Sequence, residues 1–218
     1  MIKQKFKQLI YKLSFLINRI PFNNKIKLRG THCNISNTIL FKCKIDCRGN
    51  GNVIINNTGG CLRNCLIYIV GNNNTIEIGE NTHITNGELW IEDDNNKIII
   101  GSNTSLCGKI HLACIEGCTI AIGDNCLFSS DIVFRTGDSH SILDLDGNRI
   151  NPAQDIIVKN HVWIGNKVIV TKGASIAENS IVGTGAIVTK KFDETNVVIT
   201  GVPAKITKEN INWSVERI

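Results

Sequence analysis

The stretch 156–190, IIVKNHVWIGNKVIVTKGASIAENSIVGTGAIVTK, repeats in sixes. Val158, Ile164, Val170, Ile176, Val182 and Val188 share one position of the six. Val162, Val168, Ala174, Ser180 and Ala186, all β-branched or small, share another. An α-helix turns about 100° per residue and would scatter such a set around its circumference, so no helix has this period. One inward aliphatic and one small inward residue per six fit a three-sided coil. Each side is a short strand, each corner a tight turn, and each coil stacks on the last. The expected fold is all-β, a parallel β-helix.

Residues 30–135 repeat at a longer interval. NNTIEIGENT (73–82), NNKIIIGSNT (95–104) and GCTIAIGDNC (117–126) align at a separation of 22, with NVIINN near residue 52 as an earlier, weaker copy. A coil of three six-residue sides needs 18, so these coils carry four extra residues in looser corners or longer sides. Their Asn and Gly residues suit corners that need left-handed backbone angles.

Between the two regular regions the pattern fails. FRTGDSHSILDLDGNRINPAQD (134–155) has no six-residue period and is rich in loop formers: Gly137, Asp138, Asp144, Asp146, Gly147 and Pro152. A loop extruded from a rigid coil is a usual place for chemistry. This one holds His140, two residues after Asp138 and flanked by Ser139 and Ser141.

The chain's charge is unevenly placed. Of 24 Lys and Arg, eight lie in residues 1–30, which carry no acid, so the remainder, with 19 Asp and Glu, is net acidic. The body is therefore not a basic nucleic-acid binder. Ile2, Phe6, Leu9, Ile10, Leu13, Leu16, Ile17 and Ile20 fall on one face of an amphipathic helix over 2–20 that Pro21 ends. That stripe serves either of two ends: packing over an open end or side of the coil, or lying on a membrane surface with its lysines against anionic lipid. Lys12 interrupts the apolar stretch and no small-residue cleavage site follows, unlike a signal peptide. No run of 18 apolar residues is long enough to span a bilayer. The expected location is cytoplasmic, with the inner face of the membrane as its possible docking surface.

Nine cysteines include the pairs Cys43/Cys47, Cys61/Cys65 and Cys114/Cys118, spaced C-x3-C rather than the C-x2-C of common zinc sites. An odd count without an export signal argues against a disulfide scaffold. They read as small buried residues, Cys126 among them. His32, His83 and His111 stand 51 and 28 residues apart, which does not match the repeat, so no metal centre is expected. His161 reads as structural. Lys172, Lys190 and Lys191 read as solvated charge.

The run NHVWIGNKVIVTKGASIAENSIVGTGAIVTK followed by GVPAK closely resembles the C-terminal signature of the hexapeptide-repeat acyltransferases. GDSHSI, GNRIN, NHVWIG and GVPAK, in that order, look most like the bacterial polysaccharide O-acetyltransferases, including the capsular sialic-acid type. The resemblance covers roughly the last 100 residues well and the middle more loosely. It implies a left-handed coil, although parallel crossovers are normally right-handed. The expected organisation is therefore a 1–21 helix, a 30–190 β-helix with the loop 134–155 that the resemblance makes catalytic, and a 191–218 tail carrying GVPAK.

The resemblance makes His140 the catalytic base, and the chemistry agrees. Moving an acetyl group from a thioester to a sugar hydroxyl requires taking the hydroxyl proton, a task suited to imidazole with its ordinary pKa of about 6.5. No acyl-enzyme is needed. The oxyanion needs donors, expected from backbone N–H groups. Asp138 orients His140, stabilises its imidazolium, holds the acceptor, or simply forms an Asx turn. Trp163 lies against donor or acceptor in the resembling enzymes, with packing at a subunit interface as the other reading. Position by position, the resemblance puts the coenzyme of acetyl-CoA against Asn166, Thr184, Thr189, Lys205 and Lys208, with lysines meeting phosphates. Position 184 is more usually Ala in the family, and Thr184 is bulkier. The family assembles as homotrimers with sites shared between subunits, and it requires no metal.

The implied activity is acetyl-CoA-dependent O-acetylation of a cell-surface polysaccharide or its precursor. The enzyme alternatives are N-acetylation of an amino-sugar nucleotide and acetylation of a small thiol or sugar. The non-enzymatic alternative is a β-helix scaffold or partner subunit, which would have no need of His140, Trp163 and GVPAK.

Overall fold

Each inward aliphatic of the repeat sits directly over its equivalent in the next coil. In the computed structural model, which describes residues 13–14, 18, 23–34 and 38–217, strands wind around three faces. On the first face Ile45, Ile67, Leu89, Leu112, Phe134, Val170 and Val188 stand in register. On the third, Leu40, Leu62, Ile84, Leu106, Phe128, Ile164, Val182 and Ile199 do the same. All are fully or almost fully buried. Burying each such side chain contributes roughly 1.5–3 kcal/mol, and parallel stacking lets every coil bury the face its neighbour offers.

The first and second faces form one 14-stranded sheet, because the strand Lys44–Asn56 bends around their common edge. Gly49 and Gly51 make that bend with positive φ. The strand Lys25–Asn34 runs beside it and shifts register between Arg29 and Thr31. The third face is a nine-stranded sheet from Ile39–Phe41 to Lys205–Lys208.

The four extra residues of the wide coils all lie at the edge between the first and second faces. His111 and Ala121 are ten residues apart, whereas their register equivalents Ile169 and Ser175 are six apart. The loop leaves the coil at this same edge. It begins slightly later than the failed repeat suggests, because Phe134 is fully buried and the strand Ile132–Arg135 runs to completion.

Buried polar ladders hold the corners together. Asn74 N–H donates to Asn52 Oδ1, Asn96 N–H to Asn74 Oδ1 and Cys118 N–H to Asn96 Oδ1. Thr82, Thr104 and Cys126 form a second ladder through the threonine hydroxyls. The Asn52, Asn74 and Asn96 side chains satisfy backbone groups of their neighbours, which would otherwise be costly orphans. Asn81, Asn103 and Asn125 turn the next edge with φ of 53°, 54° and 56°. The cysteines fit the same scheme: Cys43, Cys47, Cys65, Cys114, Cys118 and Cys126 are buried, and all nine thiols are free.

The coil does not stop at residue 190, as the expected organisation had it. Lys191–Phe192 and Val198–Thr200 add another partial turn, with Phe192, Val197 and Ile199 buried. The GVPAK turn then reverses the chain, and Lys205–Lys208 pairs antiparallel with Val198–Thr200 on the open edge. Residues 209–217 run back along the coil, where the Trp213 indole N–H donates to the His161 carbonyl.

The amphipathic helix expected over 2–20 lies outside the described residues except for Leu13, Ser14 and Asn18. Asn18 is buried against the first coil, donating to Thr38 O and accepting from Leu40 N–H. That contact fits the end-covering reading of the segment at these positions. No helix among the described residues is long and apolar enough to cross a membrane.

Candidate active site

The loop is pinned to the coil by two ion pairs and one amide. Arg149 donates to Glu116 Oε1 at 2.7 Å, and Lys172 Nζ to Asp138 Oδ2 at 2.6 Å. Asn151, almost fully buried, stands between them. Its Nδ2 donates to Asp138 Oδ2 and to the His140 carbonyl, and its Oδ1 accepts from Ile142 N–H. The backbone around His140 is therefore fixed from both sides. The imidazole is exposed and, among the described residues, has no hydrogen-bond partner of its own.

Asp138 makes no hydrogen bond to the His140 ring among the described residues; its Oδ2 is engaged by Lys172 and Asn151. Lys172 departs from the solvated reading: its side chain is only 23% exposed, held between Asp138 and the Asn151 carbonyl. The Lys172 hydrogen bond, followed by that from Asn151, holds the Asp138 carboxyl below its ordinary value. Arg149 does the same for Glu116. A depressed folded-state pKa gives a contribution that is complete above the ordinary carboxyl range, about 3.9–4.3, and is lost as the pH falls through the lower folded value. The Ala153 amide, which donates to Glu116, should accordingly keep its hydrogen-exchange protection factor from pH 7 to 5 and lose it as the pH approaches 3. Unchanged protection at pH 3 would mean that these pairs do not hold the loop.

The expected coenzyme contacts flank the far end of the first face. Asn166 and Thr184 stack at the edge between the third and first faces. Asn166 Oδ1 accepts from Ser130 N–H and Ser129 Oγ, and Thr184 is exposed one coil on. Gly165 keeps this edge tight, because a Cβ there would sit 2.8 Å from the Thr184 nitrogen. Thr189 stands exposed at the opposite edge, near the root of the loop. Lys205 and Lys208 project, exposed, from the terminal antiparallel strand.

Trp163 lies elsewhere. It is 39% exposed on the third face, beside Trp213, with ring centroids 6.1 Å apart. The loop leaves from the edge opposite that face, so one chain does not bring Trp163 and His140 together. His161 is structural: its ring stacks on Trp213 at 4.3 Å and its Nδ1 meets Asn179 Oδ1 at 3.0 Å. His32, His83 and His111 lie on three different faces. Burial raises the thiols of Cys33 and Cys126 to about 11 and that of Cys114 to about 12, which suits buried packing rather than nucleophilic chemistry.

No family model matches the chain. The crystal structure of the polySia-specific acetyltransferase NeuO superposes with a TM-score of 0.80 at 31% identity, covering 89% of this chain and 83% of that one. The chain belongs to the hexapeptide-repeat acetyltransferases. Its coil is the left-handed β-helix of that family. The polysialic acid O-acetyltransferase of Escherichia coli O1:K1 / APEC is 36% identical over 100 residues, 45% of this chain and 32% of its own length. The galactoside O-acetyltransferase of Escherichia coli K12 is 33% identical over 101 residues, 46% of this chain and 49% of its own length. The chain thus spans half or less of the length of these curated relatives.

Sequence reasoning gave no role to Glu116, Arg149 or Asn151 and read Lys172 as solvated charge. The residues paired are 33 and 34 positions apart, so only the coil's winding brings them together.

Proposed function

We propose that this chain is an acetyl-CoA-dependent O-acetyltransferase acting on a carbohydrate hydroxyl, with His140 as general base. The observation that carries this reading is an exposed, unpartnered imidazole on a loop pinned to a rigid coil. That is the arrangement a base needs to meet an incoming hydroxyl without reorganising. The relatives named for O-acetylation of polysialic acid and of galactosides support the reaction class.

His140 takes the hydroxyl proton as the oxygen forms its bond to the acetyl carbonyl carbon. The carbon–sulfur bond then breaks, and the imidazolium returns the proton to the leaving sulfur. Lys172 and Asn151 act through the backbone, holding the His140 segment in place. Acetyl-CoA supplies the activated acyl group as a thioester. The residues present fit it: a tight glycine edge beside Asn166 and Thr184 admits a narrow arm, and the exposed ammoniums of Lys205 and Lys208 suit phosphates. Thr189 adds a hydroxyl at the other edge.

The assembly belongs to the same reading. A homotrimer would set the third face of one subunit, with Trp163, against the loop of the next. The separation of Trp163 from His140 within one chain favours such sharing. So do the exposed apolar side chains of the loop, Ile142, Leu143, Leu145 and Ile150. The chain would work in the cytoplasm, with its basic N-terminal segment available to an anionic membrane surface.

The test is release of free thiol from acetyl-CoA by the purified protein. The acceptors are capsular polysaccharides, polysialic acid, amino-sugar nucleotides and simple galactosides. Turnover with a polysaccharide supports the proposal. Turnover confined to an amino-sugar nucleotide moves the reaction to nitrogen. Silence throughout, with no coenzyme A binding by calorimetry, favours the scaffold.

A further inference from the structure

A cleft of about 630 Å³ lies on the first face directly against the root of the loop, reaching Gly137, Asp138 and Ser139. The sequence makes it by one small residue. Trp90, Ala113 and Arg135 stand in register on three successive coils, so Ala113 leaves a hollow between an indole and a guanidinium. Trp90 is half-buried and stacks on Tyr68 of the preceding coil, with centroids 4.1 Å apart and planes at 29°. The pair forms a continuous aromatic wall, and Arg48 lies 5.9 Å from the Tyr68 ring.

The cleft's charge is acidic. Glu88 meets His111 at 3.0 Å. Glu116 and Asp138 are answered by Arg149 and Lys172, which pin the loop. Glu92 and Asp93, both exposed, have no ion-pair partner among the described residues, and Arg135 is the lining's only arginine. A flat aromatic face receives the apolar C–H face of a sugar ring, and carboxylates accept from its hydroxyls. The same carboxylates repel a chain that carries one carboxylate per residue.

We infer that this cleft is the acceptor groove, and that it takes a non-acidic glycan rather than a polyanion. In this respect the chain parts from its polysialic acid-modifying relatives. The inference rests on the acetyltransferase reading for the groove's role. Its test is run without acetyl-CoA, so that the two can fail separately.

The experiment is equilibrium binding of fluorescently labelled oligosaccharides to the full chain at low salt. Neutral dextran and galactan oligomers, chitosan oligomers and polysialic acid oligomers serve as probes, against wild type, Trp90→Ala and Glu92→Lys. The tightest binder should be a non-acidic oligomer, weakened about tenfold or more by Trp90→Ala, as expected for loss of a stacking face. Glu92→Lys, on an exposed side chain that leaves the fold intact, should strengthen polysialic acid binding, and added salt should erase that gain. The inference is overturned if polysialic acid is the tightest binder to wild type, or if no probe loses affinity in Trp90→Ala while Glu92→Lys leaves polysialic acid unchanged. Groove binding without any thiol release would leave the cleft standing as a site for a non-acidic glycan and remove the acetyltransferase reading. Turnover of polysialic acid that survives Trp90→Ala would do the opposite.

Discussion

Replacing His140 by Ala should lower acetyl transfer by about 10²–10⁴-fold, the usual contribution of a positioned general base. Coenzyme A binding should be unchanged, because none of the proposed donor contacts uses the His140 side chain. The fold should also be unchanged, because the imidazole is exposed and only the backbone carbonyl of His140 is used, by Asn151. A fall confined to kcat, measured by thiol release at saturating acetyl-CoA, is the expected signature. His140→Gln is the companion variant, similar in size but with no basic nitrogen, and should be as slow as His140→Ala. Retention of more than roughly a tenth of wild-type kcat would remove His140 from the role of base. Cys114 and Cys126 offer no alternative covalent route, since burial holds their thiols in the protonated form.

The largest effect on stability is expected from Phe128→Ala. Phe128 is fully buried in the coil from which the loop leaves, tilted at 45° to Phe134 with centroids 5.6 Å apart. Large-to-small changes of a buried Phe cost about 3–5 kcal/mol, because the surrounding structure closes the void only in part. In a solenoid each coil contacts mainly its neighbours, so the damage should begin locally. Chemical denaturation should show the loss. Hydrogen exchange should place it first at Leu106, Phe128 and Ile164, with the ladders around Asn74 affected least. A loss below about 1 kcal/mol would mean that this part of the interior is loosely packed.

The coil was legible because its repeat is enforced at every step. A residue such as Val170 or Ile76 has one inward position and one neighbour above and below, so the sequence must repeat to fill the interior. The loop was legible as the interruption of that repeat, and His140 as the group within it that we propose as the base. The N-terminal stripe was legible only as amphipathic, and of its eight positions Leu13 alone lies among the described residues. The partners of the loop were not legible. Nothing local ties Lys172 to Asp138 or Arg149 to Glu116, and Lys172 reads as ordinary surface charge until the coil brings it round to the loop. Asn151, inside a run of turn formers, gives no sign that it is buried. The cleft was hidden for a related reason. Trp90, Ala113 and Arg135 become neighbours only when the wide coils are laid in register. The extent of the coil was misjudged after Val188 because the strict six-residue pattern lapses there, while Phe192, Val197 and Ile199 still fill the interior.

The central claim is that this chain moves an acetyl group onto a carbohydrate oxygen. The most direct measurement uses acetyl-CoA carrying isotope in the acetyl carbonyl, with purified wild-type protein and neutral, amino and acidic glycans. The glycan is isolated, and its label is tested for release by mild alkali. The account predicts label on a glycan, released as acetate by alkali as an ester is, and absent when His140→Ala replaces wild type. Label that resists alkali as an amide, or label that never leaves acetyl-CoA, would contradict it.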